Sequence, residues 1–108
     1  MSSENADLLF VVDLTYTAPL EEIDRALAEH VAFLNRQYDA GRFLMSGPKS
    51  PRTGGVILAK AASKVDLEAI VESDPFRRDG LAEATITAFE PRMIADTLRN
   101  GVLFKRSL

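Results

Sequence analysis

The chain has 108 residues, 46% of them hydrophobic, and carries 13 Lys and Arg against 16 Asp and Glu for a net charge of −3. That length and composition fit one globular domain with one sizeable core, and the acidic balance argues against nucleic acid as a partner. The absence of cysteine removes disulfides, thiol nucleophiles, iron–sulfur clusters and thiolate zinc sites from consideration.

The longest early apolar run, Leu8 to Val12, is far too short to span a membrane. Glu4 and Asp7 stand where a signal peptide would be basic, so a cytoplasmic protein without membrane contact is expected. Met1 to Asp7 reads as a frayed polar start. Leu8 to Thr15 follows as a strand, in which Phe10, Val12 and Leu14 alternate with Leu9, Val11, Asp13 and Thr15.

Pro19 opens a helix in the first-turn position, with Glu21, Glu22 and Asp24 matching the positive end of its dipole. Leu20, Ile23, Leu27, Val31, Leu34 and Tyr38 form its apolar stripe, and Gly41 closes it as a left-handed cap. Arg42 to Ser46 reads as a short strand, Gly47 to Gly55 as a loop rich in Gly, Pro and Ser, and Val56 to Lys60 as the next strand. A second helix starts at Ser63 with Asp66 at the capping-box position, burying Val65, Ala69, Ile70 and Val71. It stops by Ser73, because Asp74 precedes a proline. A turn over Asp74 to Gly80 leads into a strand from Glu83 to Phe89. Pro91 to Asn100 can form a last short helix, followed by Gly101 and a tail bearing Val102, Leu103 and Phe104.

The order β-α-β-β-α-β predicts an α+β, ferredoxin-like fold, with two helices on one face of a four-stranded antiparallel sheet. The opposite face would carry several large apolar residues, so a homodimer pairing sheet to sheet is expected, with a cavity between sheet and helices able to take a small molecule.

His30 is the only histidine. Three residues after Leu27 and four before Leu34, it sits on or beside the apolar stripe. It is either a core-edge histidine satisfied by one carbonyl or an acid/base group, since imidazole ordinarily titrates near neutrality. Asp74 lies where its charge opposes the dipole of the second helix, but Asp74-Pro75 is also a standard cap and first-turn pair. One carboxylate oxygen can cap while the other orients an imidazole. The 47–55 loop has anion-binding ingredients in Ser50, Lys49 and Arg52 without phosphate-loop spacing, and a flexible hairpin connection is the plainer reading. Arg77 and Arg78 beside Asp79 read as a solvated face. No ligand spacing points to a metal, and no nucleophile motif to a Ser/His/Asp triad, so neither metal nor cofactor is expected.

The runs His30-Val31-Ala32-Phe33-Leu34, Gly41-Arg42-Phe43-Leu44-Met45-Ser46-Gly47-Pro48 and Asp74-Pro75-Phe76, in that order before a final strand, resemble the YCII-related (YciI-like) family. The likeness spans roughly Leu8 to Pro91, giving a single domain over 1–108 with its core at 8–91 and a C-terminal extension at 92–108. The resemblance implies a dimeric α+β barrel with a His–Asp pair in a cleft, carried here by His30 and Asp74. Ser46, Gly47, Pro48, Phe76 and Tyr38 are the expected substrate-binding residues beside this pair, although Tyr38, two turns after His30, reads from spacing more readily as core. One related branch acts as a dehydrochlorinase, using the pair for proton removal and chloride loss. Leu27 occupies the position where the family carries an Arg, with Arg25 the nearest arginine.

Three functions compete. The first is a small cofactor-independent enzyme that uses His30 as general acid/base for elimination or isomerisation on a small molecule. The second is a monooxygenase-like or haem-handling barrel protein, as in the wider superfamily. The third is a non-catalytic small-molecule-binding or dimeric accessory module. Fold alone does not choose between them.

Overall fold

The computed structural model describes residues 8–99. Its elements are β1 (Leu9–Tyr16), α1 (Leu20–Asp39), β2 (Phe43–Pro48), β3 (Gly54–Lys60), α2 (Lys64–Glu72), α3 (Pro75–Arg78), β4 (Ala82–Phe89) and α4 (Asp96–Arg99). The strands form one antiparallel sheet in the order β2-β3-β1-β4, the ferredoxin-like topology expected from the sequence. Among the described residues no helix is long and apolar enough to cross a membrane.

The period-2 pattern of β1 sets the layers. Phe10, Val12 and Leu14 are fully buried and pack with Phe33 of α1 and with Leu67 and Val71 of α2, so both long helices cover one face of the sheet. Strand register brings Ile57 and Ala59 of β3 and Ala84, Ile86 and Ala88 of β4 to that same face. The opposite face carries Val11, Leu58, Val56, Met45 and Phe89 beside Asp13, Thr15, Thr85 and Thr87, with Met45 50% exposed and Phe89 41%. A smaller apolar cluster of Ile23, Phe76 and Ala82, with Tyr16, Ala18 and Leu81 against it, closes one end of the sandwich.

Gly54 is the tightest point of the sheet. A Cβ there would lie 1.8 Å from the carbonyl oxygen of Leu14, so β1 and β3 approach as closely as they do only because the residue is glycine. At the end of α1, Gly41 takes φ +77°. Its N–H bonds the carbonyl of Tyr38 while the Arg42 N–H bonds that of Gln37, the paired closure that a left-handed residue permits.

Several boundaries and faces differ from the sequence reading, each for a local reason. Pro19 is the residue before α1, accepting from Glu22 and Ile23 through its carbonyl. The 47–55 loop shrinks to Lys49–Thr53, because Gly47 and Pro48 extend β2 opposite Val56 and Gly55; proline is tolerated there because β2 is an edge strand. The fully buried line of α1 is Ile23, His30, Phe33 and Gln37, while Leu20, Leu27 and Val31 of the expected stripe are 39–44% exposed. The helix presents two adjacent lines, one of them interrupted by His30 and Gln37, and only that one lies flat on the sheet. On α2, Leu67 and Val71 face inward, one turn apart, which turns Val65 away to 71% exposure and leaves Ala69 outside.

Arg77 is not part of a solvated face: it donates to the carbonyl of Ala82 at 2.8 Å and to Glu72, tying α3 to β4, while Arg78 pairs with Asp79 and Glu29. The expected helix over Pro91 to Asn100 is confined to α4, and Pro91 to Ala95 is not helical. The expected frayed start, Met1 to Asp7, and the tail from Asn100 to Leu108 lie outside the described residues.

Candidate active site

Asp74 occupies the junction of two helices. The C-cap of α2 is Ser73, whose neighbour must leave helical geometry because Pro75 follows, and Asp74 accordingly takes φ −63°, ψ 130°. Pro75 is pre-set for the first position of α3, and Asp74 caps that helix, its Oδ1 accepting the N–H of Phe76 at 3.0 Å. The same Oδ1 faces Nδ1 of His30 at 2.8 Å. Asp74 is 1% exposed and His30 9%, and the second carboxylate oxygen, Oδ2, is buried with no hydrogen-bond partner among the described residues.

This arrangement fixes the imidazole in three ways. Its backbone sits on the buried line of α1, so the side chain points at the α3 start. A carboxylate accepting at Nδ1 makes that nitrogen the donor, which leaves Nε2 as the acceptor in the neutral ring. The ring of Phe76 stacks on it at 3.9 Å with planes 6° apart, and Phe76 is itself held edge-on by Tyr16 at 5.9 Å. Aromatic contacts of this kind add directional preference beyond their buried area.

His30 and Phe76 lie in the wall of a cleft of about 410 Å³ between α1 and the β1–β3–β2 half of the sheet. That volume falls in the range of small-molecule sites. Leu27, Val31 and Leu34 of α1 and Leu14 and Ile57 of the sheet make the rest of the wall largely apolar. Polar groups enter at separate points. Ser46 brings a hydroxyl whose Oγ lies 2.6 Å from the Tyr38 hydroxyl, and Arg52 of the β2–β3 hairpin pairs with Asp24 of α1 at 2.7 Å. Hydrogen bonding to Asp24 raises the Arg52 guanidinium above its ordinary value.

Of the residues singled out in the sequence, His30, Ser46, Gly47, Pro48 and Phe76 all line this cleft. Two stand behind it. Asp74 reaches it through His30, and Tyr38 through Ser46, with the Tyr38 ring packed edge-on against Phe43 at 6.3 Å. Leu27 is a wall residue, and Arg25 is exposed outside it. Sequence reasoning did not anticipate the roles of Leu27, Val31 and Leu34, whose spacing read as core, nor the partnership of Asp24 with Arg52. The signal available for the first was an apolar helix face wider than one sheet contact needs. Among the described residues no group of three or more His, Asp or Glu converges as a metal site would require.

A model of the YCII-related domain family matches residues 9–90. Among solved structures, the chain is similar to 5-chloro-2-hydroxyhydroquinone dehydrochlorinase (TftG) from Burkholderia phenoliruptrix AC1100 in complex with 2,5-dihydroxybenzoquinone. That match has 20% identity and a TM-score of 0.66, over 85% of this chain and 99% of that one. A more distant likeness is to SnoaB, a cofactor-independent oxygenase from Streptomyces nogalater, with 18% identity and a TM-score of 0.48 over 84% of this chain and 99% of that one. No curated protein sequence matches the chain. At these identities the solved structures speak to the fold.

Proposed function

The chain belongs to the YCII-related domain family, and from its buried His–Asp pair we propose that it is a small enzyme that moves protons on a small molecule held in the cleft, without a cofactor. The observation that carries this reading is the 2.8 Å contact of His30 Nδ1 with a carboxylate that is 1% exposed, behind an imidazole that lines an apolar cleft. Asp74 fixes the tautomer and stabilises the imidazolium, Nε2 accepts a proton from an acidic C–H or O–H of the ligand, and the Phe76 stack keeps the ring from turning. The electron pair left on the ligand then expels a β-leaving group, giving elimination. Alternatively it takes the proton back from Nε2 at another carbon, giving isomerisation. The apolar walls strengthen both steps by keeping water from the pair.

Hydroxylated quinones, the ligand class in the dehydrochlorinase complex, and their chlorinated hydroquinone counterparts are the first compounds to try. Solvent deuterium entering a carbon-bound position of such a compound reports reversible proton abstraction or isomerisation, and release of the leaving group reports elimination. Exchange in the wild type that falls about a hundredfold or more in His30→Gln fits a positioned general base, whereas exchange retained in that variant refutes the role. A purely binding role is the second reading. Asp74 caps α3 through the same oxygen that faces His30, so the carboxylate has a structural task with or without chemistry. Ligand binding with neither exchange nor turnover in either protein would favour it.

We further propose that the protein works in the cytoplasm as a homodimer, joined through the sheet face that bears Val11, Val56, Leu58, Met45 and Phe89. A dimeric mass by light scattering that becomes monomeric in Met45→Asp supports this pairing, and a monomeric wild type refutes it.

A further inference from the structure

We propose that Arg52 determines specificity in this cleft, selecting small organic acids whose anionic head takes the guanidinium from Asp24 while a planar apolar body lies along Leu27, Val31 and Ile57. The inference deepens the acid/base reading by naming its substrate class, and rests on the same cleft being the ligand site.

Of the residues in the cleft wall, Arg52 and Asp24 carry permanent charge, and apart from His30 and Ser46 the others are apolar or aromatic. Lys49, the other cation of the hairpin, turns away: its Nζ lies 2.7 Å from Asp13 Oδ1 on the opposite face of the sheet. A ligand in the cleft therefore meets one permanent cation in its wall.

The Arg52–Asp24 pair is made to be exchanged. It is a contact through one guanidinium nitrogen, with side chains 36% and 56% exposed, and exposed pairs of this kind contribute little. A guanidinium offers five donors in a planar fork, and a carboxylate or sulfonate meeting two of them in a partly dry cleft makes the stronger pair. The base of the arginine stays fixed meanwhile. Lys49 N–H bonds the Gly54 carbonyl and Tyr16 N–H bonds that of Thr53, so the hairpin tip is stitched to the sheet on both sides of Arg52. The Tyr16 ring, 6.0 Å from the guanidinium carbon, is a cation–π neighbour of the same group.

Helix geometry sets the length of the apolar wall. Asp24 and His30 are six residues apart on α1, about 9 Å along the axis. An acid anchored at Arg52 has nearly two helical turns of largely apolar wall between Asp24 and His30 to lie along, which suits a cyclic or aromatic body better than a short aliphatic chain.

Two fluorescent probes that differ in charge test this with the full chain: 1-anilinonaphthalene-8-sulfonate, which bears the anion, and N-phenyl-1-naphthylamine, which lacks it. The wild type should favour the sulfonate. In Arg52→Gln the sulfonate should weaken about tenfold or more, the loss of one charge-assisted contact, while the neutral probe stays within about twofold. Asp24→Asn, which removes the competing carboxylate, should tighten the sulfonate alone. Leu27→Trp, which fills the cleft, should displace both. An unchanged ratio in Arg52→Gln, binding that survives Leu27→Trp, or binding of neither probe overturns the proposal. His30→Gln separates the two readings: the charge discrimination persists there if Arg52 selects the acid, even where deuterium exchange shows that His30 is not a base.

Discussion

Replacing Asp74 separates a structural carboxylate from one that is coupled to His30. In Asp74→Ala, α3 loses its N-cap, a change that typically costs about 1 kcal/mol. The charge-assisted contact with His30 contributes about 1.5–3 kcal/mol. Against these stands the relief of Oδ2, a buried oxygen without a partner, whose burial costs on the order of 1 kcal/mol or more. The net expectation is a loss of about 1.5–3 kcal/mol, with the cap and the His30 contact both inside it. Asp74→Asn keeps an oxygen for the Phe76 N–H, so the difference between the two variants isolates part of the cap. A double-mutant cycle isolates the rest. With His30→Ala as the partner change, the cap and the Phe76 stack cancel, and the coupling energy reads the His–Asp contact alone. Urea denaturation of the four proteins, at a pH where the carboxylate is ionised, supplies the numbers if the m values agree. A coupling of at least about 1 kcal/mol fits the account. A coupling below about 0.5 kcal/mol would mean that Asp74 serves α3 only, and the reasoning from pair to chemistry would fail.

Gly54→Ala should cost several kcal/mol and be poorly folded by circular dichroism, since its Cβ meets the Leu14 backbone at 1.8 Å, whereas Gly47→Ala, with open space at that position, should stay within about 1 kcal/mol of wild type. Phe76→Ala should lose about 3–5 kcal/mol in the same denaturation assay, because the ring is 2% exposed and packs against both His30 and Tyr16; a loss under 1 kcal/mol would contradict that packing. The hydrogen bond from Arg78 holds the Asp79 carboxyl below its ordinary value of 3.8. A lowered value in the folded state means stability that is present above 3.8 and is lost as the pH falls through the folded value. The small stability difference between wild type and Asp79→Asn should therefore shrink on acidification and vanish at the lowest pH, and a difference that grows instead would contradict the pairing.

The fold was legible because its signals are local. Alternation in Leu9 to Leu14, the cap at Gly41, the Ser63 start and the Asp74-Pro75 break each name an element end from chemistry within a few residues. Element order then leaves few topologies. What stayed hidden depends on how elements lean on each other. The sequence shows that α1 has a broad apolar face, but which of its two lines meets the sheet is a matter of tertiary packing, in which Phe76 of α3 stacks on His30 across 46 residues. Leu27 and Val31, whose spacing reads as core, therefore form the open wall of a cleft. Polar residues misled in the opposite direction: Gln37 and Arg77 are partly or wholly buried because each finds a partner, Arg42 and the Ala82 carbonyl respectively, which no spacing announces. The site residues were nameable one by one, His30 and Asp74 from residue type and the family-like motifs. Their shared oxygen, the Phe76 stack and the distant Arg52–Asp24 pair are tertiary facts.

The central claim, that Asp74 fixes His30 with Nε2 as its cavity-facing acceptor, is tested most directly by the ring nitrogen-15 shifts of His30 in the neutral state. With a single histidine in the chain, the signals need no assignment. The account predicts the proton on Nδ1 in the wild type, moving substantially to Nε2 in Asp74→Ala. A wild-type ring protonated at Nε2, with a tautomer indifferent to Asp74, would contradict it.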